Sequence, residues 1–381
     1  MLANTTYSKV ARVLLIAALL TAGLRLAPAQ EAAKDAAGPT PAAFDEAVKK
    51  GVEFLSAKGQ SSDGSFSKQA GPGITAIVAT ALLRNGLTPD DPVVAKSLKY
   101  LETFVQPDGS ICAPNSRLRN YETCLAVMCL SAANKDGRYK EQIAKADAFL
   151  KGLQFDEQDG RAASDITYGG VGYSGRERPD LSNTHYLTEA LEAAGNGPDD
   201  PGVQRALAFI SRCQNLESEH NNTKFAALNP DGGFYYTPAG EGGSPAGKTD
   251  NGGLRSYGSM SYAGLKSMIY AGLKADDPRV KAAVEWARQN YSLTENPGLG
   301  DAGLYYYYQL FSKALAATKM PELTDAKGKP HDWRRELAAE LISRQQPNGS
   351  WINSNRQWLE ADPNLVTAYA LLALADCRAG I

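Results

Sequence analysis

Asp180 and His185 stand five residues apart, just after the loop Tyr168-Gly169-Gly170-Val171-Gly172-Tyr173. A carboxylate and an imidazole on one rim suit proton transfer. The same spacing serves plain structure, with Asp180 or Ser182 capping a helix and His185 bonding a neighbouring loop. A second carboxylate, Asp250, opens Asp250-Asn251-Gly252-Gly253, with Tyr257, Ser259 and Tyr262 beyond. It lies near the end of residues 216–256, a stretch too long for a plain connector. Such a stretch is either a flap over a cavity or a mobile surface insert. The run Tyr305-Tyr306-Tyr307-Tyr308 is the third candidate. At about 100° per residue four tyrosines cannot share a face, so two are expected to look inward. Aromatic faces can stabilise a carbocation, hold a flat or sugar ring, or simply pack. The candidates are therefore Asp180, His185 and Asp250 for proton transfer. Tyr168, Tyr173, Tyr186, Tyr257, Tyr262, Tyr306 and Tyr307 are the candidates for ligand contact.

Metal chemistry finds little to work with. The chain has three His, five Cys and no C-x-x-C, so neither a metal nor a cofactor is expected. Cys112 follows a turn and Cys124 lies in the next helix, a pair that an exported protein could join; Cys124 and Cys129 also suit plain buried thiols.

These residues need elements to hold them. One turn recurs: Gln60–Phe66 (QSSDGSF), Gln106–Ile111 (QPDGSI), Asn229–Phe234 (NPDGGF) and Gln346–Trp351 (QPNGSW). A repeated turn means an array of like units. Before each turn the apolar residues fall at helical spacing, as in Val94, Leu98, Leu101 and in Val203, Leu207, Ile210. Other stretches are apolar or small all round: Ile74–Leu83, Tyr121–Ala133, Leu187–Ala194, Tyr262–Ala271, Tyr307–Ala317 and Leu365–Ala375. They read as helices surrounded by protein. The phrase D-D-P recurs at Asp90, Asp199 and Asp276, at equivalent helix starts, and marks caps rather than a metal site. The expected fold is all-α: a single α/α toroid of six inner and six outer helices, closed because neither terminal pair looks like a polar cap.

The N-terminus carries Lys9 and Arg12, an apolar run Val13–Leu24, and Ala27-Pro28-Ala29. That layout predicts a signal peptide over 1–29, cleaved rather than kept as an anchor, since the run is short of the ~20 residues that span a bilayer. Residues 30–43 are expected to be a low-complexity linker and 44–381 the globular part, exported to a periplasmic or extracellular compartment. The net charge of −2 becomes more negative once Lys9, Arg12 and Arg25 leave, which speaks against a nucleic-acid partner.

The recurring turns, the six hairpins and the Gly-Gly-aromatic loops resemble the terpenoid cyclase and protein prenyltransferase superfamily, as a prenyltransferase and squalene oxidase repeat protein over Phe44 to Cys377. The resemblance implies structural roles for Gln60, Phe66, Gln106, Gln346 and Trp351. Its catalytic marks are missing: there is no D-x-D-D acid, no D-D-x-x-D magnesium motif and no G-C-G-E-Q thioester. Where the prenyltransferases bind zinc through Asp-x-Cys and a later His, this chain has Asp180 and Ser182, then Leu365-Val366-Thr367. What the family implies is an isoprenoid-like or other apolar small molecule bound, cyclised or isomerised in the central cavity. A non-catalytic ligand- or protein-binding scaffold is the alternative, and a hydrolase or lyase using Asp180 and Asp250 is a third. A deep dry tunnel, a plugged centre or an open polar groove would separate the three.

Overall fold

The computed structural model describes residues 38–175 and 177–381. The expected leader and most of the expected linker lie outside them. Helix α1 (Pro41–Phe54) begins inside that linker, where Thr40 Oγ1 accepts from Ala43 N at 3.2 Å and Pro41 fits the first turn.

Among the described residues six outer helices, α1 included, alternate with six more apolar inner ones. The outer helices are α1, α3 (Pro92–Glu102), α5 (Lys140–Lys151), α7 (Pro201–Arg212), α10 (Pro278–Gln289) and α12 (Trp333–Ser343). The inner ones are α2 (Pro72–Arg84), α4 (Arg119–Ala133), α6 (Leu181–Ala193), α9 (Gly258–Tyr270), α11 (Leu304–Thr318) and α13 (Pro363–Cys377). Each inner helix packs on the next, and α13 packs on α2, so the ring is closed. A short helix α8 (Lys224–Leu228) lies in the long insert, and β1 (Leu323–Thr324) pairs antiparallel with β2 (Pro330–His331). The outer stripes do what their spacing predicts: Val94, Leu98 and Leu101, and Val203, Leu207 and Ile210, are all buried.

The repeated turns are the joints of the ring. Gln60 Nε2 donates to Gly64 O at 3.2 Å in its own turn and to Val93 O at 2.7 Å at the start of α3. Gln154 does the same toward Gly169 O and Gly202 O of α7, at 3.0 and 2.9 Å. Gln214 bonds Gly232 O and Arg279 O of α10, both at 2.9 Å. Gln345 bonds Gly349 O at 3.0 Å and Ala47 O of α1 at 2.9 Å, which ties the end of the chain to its beginning. The tie is therefore made by Gln345, not by the expected Gln346. Gln106 also differs, bonding Phe104 O and Cys112 O within its own turn. The reason is register: the tying Gln stands four before the turn glycine in Gln60 and Gln345, and Val105 occupies that place in the second turn.

Each turn also docks on its inner helix. The backbone N of Phe66, Ile111, Val171, Phe234 and Trp351 donates to Thr75, Thr123, Thr184, Ser261 and Thr367, at 2.9 to 3.2 Å. The turn glycine must lie close to the next outer helix. At Gly349, with φ 89, a Cβ would stand 2.4 Å from Lys50 O.

The D-D-P phrases divide in use. Asp200 and Asp277 cap α7 and α10 through backbone N–H groups, whereas Asp91 turns its carboxylate to Thr88 N and Oγ1. Cys112 and Cys124 are free and buried, not joined; Cys124 Sγ faces Asn120 Oδ1 at 3.4 Å. No helix among the described residues is long and apolar enough to cross a membrane.

Candidate functional site

The inner helices deliver a cluster of polar side chains into the ring. Asp180 starts α6, its Oδ1 accepting from Asn183 N at 2.8 Å and its Oδ2 from Asn183 Nδ2 at 2.9 Å. One helical turn separates Ser182 from Tyr186 and His185 from Glu189, so these residues line the inward side of α6. Helix α11 supplies Tyr306, whose backbone N is held by Glu360 Oε1 at 2.8 Å. Tyr306 Oη lies 2.6 Å from His185 Nε2 and 3.1 Å from Ser182 Oγ. Helix α9 supplies Lys266, with Nζ 3.2 Å from His185 Nδ1. Lys266 and Lys313 each pair with one oxygen of Glu189. The result is a continuous chain from Ser182 through Tyr306 and His185 to a Lys266–Glu189–Lys313 cluster.

Its charge states follow from burial and neighbours. Burial, then the Lys266 charge, pushes His185 down to about 3, so the imidazole is neutral at pH 7. Burial lowers Lys266 to about 8 against the pull of Glu189. Burial disfavours the Glu189 carboxylate, but two ammonium groups hold it well below the usual range. Burial likewise opposes the Lys313 charge, and Glu189 outweighs it and raises the pKa. A protonated Lys266 donating to His185 Nδ1 leaves the imidazole proton on Nε2, pointing at Tyr306 Oη. The Tyr306 hydroxyl hydrogen is then available to Ser182 or to a ligand above it.

Tyrosines form the surroundings of that hydroxyl. The Tyr186 ring lies 5.3 Å from Tyr121 and 6.3 Å from Tyr306, and Tyr306 lies 5.9 Å from Tyr369. Tyr121, Tyr236 and Tyr306 are partly buried and Tyr173 is 42% exposed, so the cluster opens as a cup at the N-terminal ends of the inner helices. Tyr236 comes from the long insert, anchored by Leu181 N donating to Tyr236 O at 2.8 Å, and its side chain lies beside Asp180. Burial raises Asp180 to about 6 despite these hydrogen bonds.

Beneath the cup the axis is closed. Tyr186 and Tyr369 are 3% and 6% exposed, and the cavity below them, lined by Ile77, Leu125, Met128, Gln309 and Leu372, measures about 30 Å³. That is room for one water, whereas small-molecule pockets run to roughly 300–1,000 Å³. The expected central hollow is thus filled at this level, because α4, α6, α11 and α13 each turn a tyrosine toward the axis.

The other sequence candidates fall elsewhere. Asp180 and His185 do not bond each other: Asp180 bonds Asn183, whereas His185 bonds Tyr306 and Lys266. Asp250 is exposed at the tip of a turn in the insert. Tyr168 Oη donates to Glu157 at 2.8 Å, Tyr307 Oη to Ser292 O at 2.8 Å, and Tyr262 packs between Tyr307 and Phe311. Tyr257 is buried close to Asp180 and Tyr306. Of the four consecutive tyrosines only Tyr306 joins the axial cluster, where two were expected. Tyr305 and Tyr308 pack edge to face, with Tyr308 bonding Leu293 O. Sequence reasoning passed over Tyr121, Tyr236, Tyr369, Glu189, Lys266 and Lys313. Lys266 left a usable signal, as the single charged residue of the otherwise apolar and small α9.

The insert itself is neither a bare connector nor a loose flap. Phe225, Tyr235 and Leu254 make a small core of their own, and Asn215 Nδ2 bonds Leu254 O and Ser256 Oγ at 2.8 and 2.9 Å.

The squalene–hopene cyclase C-terminal domain model matches residues 68–237. No curated protein matches the sequence. Among solved structures, the type II terpene cyclase MstE from Scytonema superposes with a TM-score of 0.54 at 15% identity, covering 90% of this chain and 100% of the other. A variant of that cyclase in complex with geranylgeranyl dihydroxybenzoate, its substrate, gives 0.53 at 13% identity, over 89% of this chain and 99% of that one. A glycosidase variant gives 0.52 at 12% identity, over 88% and 97%. At these identities the likeness is one of fold. The closed ring, its turn joints and these matches together give the chain the α/α-toroid fold of the type II terpene cyclases, and its residues 68–237 resemble the squalene–hopene cyclase C-terminal domain.

Proposed function

We propose that this toroid binds a compact, oxygen-bearing molecule of isoprenoid-like character in the tyrosine cup, and does not cyclise a long polyene in its centre. The observation that carries this reading is the Tyr306 hydroxyl, fixed by His185 at 2.6 Å and Ser182 at 3.1 Å on the floor of an aromatic recess. Aromatic walls suit an apolar body, and one oriented donor suits an alcohol or carbonyl oxygen. The cavity of about 30 Å³ below the cup leaves no room for an extended chain. Asp180, at about 6, is largely ionised at neutral pH, which supports hydrogen-bonding rather than protonation of an alkene. Export of the mature chain is part of the same proposal, supported by the basic and apolar N-terminal layout. Cell fractionation tests the export; a native mass spectrum of the purified protein, searched for a co-purified lipid alcohol or ketone, tests the binding. A protein recovered empty that also takes up no such probe would refute the binding.

A further inference from the structure

The insert also walls a groove that shares no lining residue with the tyrosine cluster. Against helix α10 it walls a cavity of about 500 Å³, well above the volume left on the ring axis. The lining includes Asn229, Asp231 and Arg255 from the insert, and Glu285, Trp286 and Gln289 from α10.

We infer that this groove is a carbohydrate site, taking a short neutral oligosaccharide. Three observations lead there. The size falls within the range of small-molecule sites, roughly 300–1,000 Å³. The polar groups are set before any ligand arrives, which lowers the ordering cost of binding. Asp231 Oδ1 accepts from Gly233 N at 3.0 Å and Ser256 Oγ at 2.7 Å; Arg255 Nε donates to Lys248 O at 3.0 Å; Gln289 Nε2 donates to Glu285 Oε1 at 2.7 Å. The mixture of carboxylates, amides, a hydroxyl and one guanidinium offers both acceptors and donors, as a ligand rich in hydroxyls requires. Two carboxylates against one guanidinium disfavour an anion.

The groove stands apart from the tyrosine cup, so the two sites are tested separately. The full chain is titrated by calorimetry with cellotetraose, maltotetraose and xylotetraose. Saturable binding of at least one is the expected result. Arg255 and Gln289 are both exposed, so Arg255→Ala with Gln289→Ala should leave the fold intact. The double variant should weaken that binding about tenfold, the effect of losing a single hydrogen bond. Tyr306→Phe should leave it unchanged. Failure of all three sugars to titrate overturns the inference, as does unaltered binding by the double variant.

Discussion

Tyr306 Oη stands 2.6 Å from His185 Nε2, although the two residues are 121 positions apart in the chain. Helix α9 packs between α6 and α11 in the ring and carries Lys266 behind the same imidazole. Replacing Tyr306 by Phe removes the partner of a fully buried His and the donor above it. Leaving a buried polar group unmade costs about 1–3 kcal/mol. A midpoint shift of that size in urea denaturation, with the m-value unchanged, is the expected outcome.

Glu189 is the negative centre between two ammonium groups and should be far less replaceable than its partners. Glu189→Leu leaves Lys266 charged and unpaired in the interior, a loss of about 3–5 kcal/mol. Adding Lys266→Met should restore part of it, since an apolar pair of similar volume is often neutral or better, while Lys313, 19% exposed, still lacks its carboxylate. Denaturation of both single variants and the double variant gives the coupling directly. Independent, additive losses would show that the two charges do not depend on each other.

Asp180 supplies a pH dependence with a defined sign. Its folded value of about 6 lies above the ordinary 3.8, so the native state holds the proton more tightly than the unfolded chain. The stability it contributes is present below pH 3.8 and is lost as pH rises through 6. A shift of that size is worth about 3 kcal/mol. Stability curves for the wild type and Asp180→Asn should converge below pH 3.8, separate in favour of Asn as pH rises from there to about 6, and run parallel above it, since Asn still caps α6. Curves that stay parallel between pH 3.8 and 6 would remove the burial argument.

Ring closure rests on a turn glycine as well as on Gln345. Gly349→Ala forces both a left-handed φ and a Cβ contact of 2.4 Å with Lys50 O. Gly137, with φ 83 and nothing near its missing Cβ, provides the control for the backbone part alone. The Gly349 variant should lose about 1–3 kcal/mol more than the Gly137 variant by thermal or chemical denaturation.

Much of this architecture can be read from residues close in sequence. Turn chemistry, outer-helix stripes and Pro-led caps are local, and Val94, Leu98 and Leu101 or Asp200 and Pro201 declare themselves without tertiary knowledge. The filled centre does not. Tyr121, Tyr186, Tyr306 and Tyr369 sit on four different helices, and only the rotation of each helix about its axis decides which tyrosine of Tyr305 to Tyr308 turns inward. The same holds for Asp180 and His185, which are close in number yet bond different partners, Asn183 for the one and Tyr306 and Lys266 for the other. Register within the turn likewise decided between Gln345 and Gln346, which composition alone cannot separate.

The most direct test of the closed centre and its cup is calorimetric titration with two isoprenoid alcohols of different length, geraniol and geranylgeraniol, on the wild type and Tyr306→Phe. A cup that takes a compact ligand by its oxygen predicts that geraniol binds one to one, that geranylgeraniol gains nothing from its extra length, and that the Phe variant weakens both about tenfold. Much tighter binding of geranylgeraniol, indifferent to Tyr306, would mean that the ring opens to swallow the chain and would contradict the account.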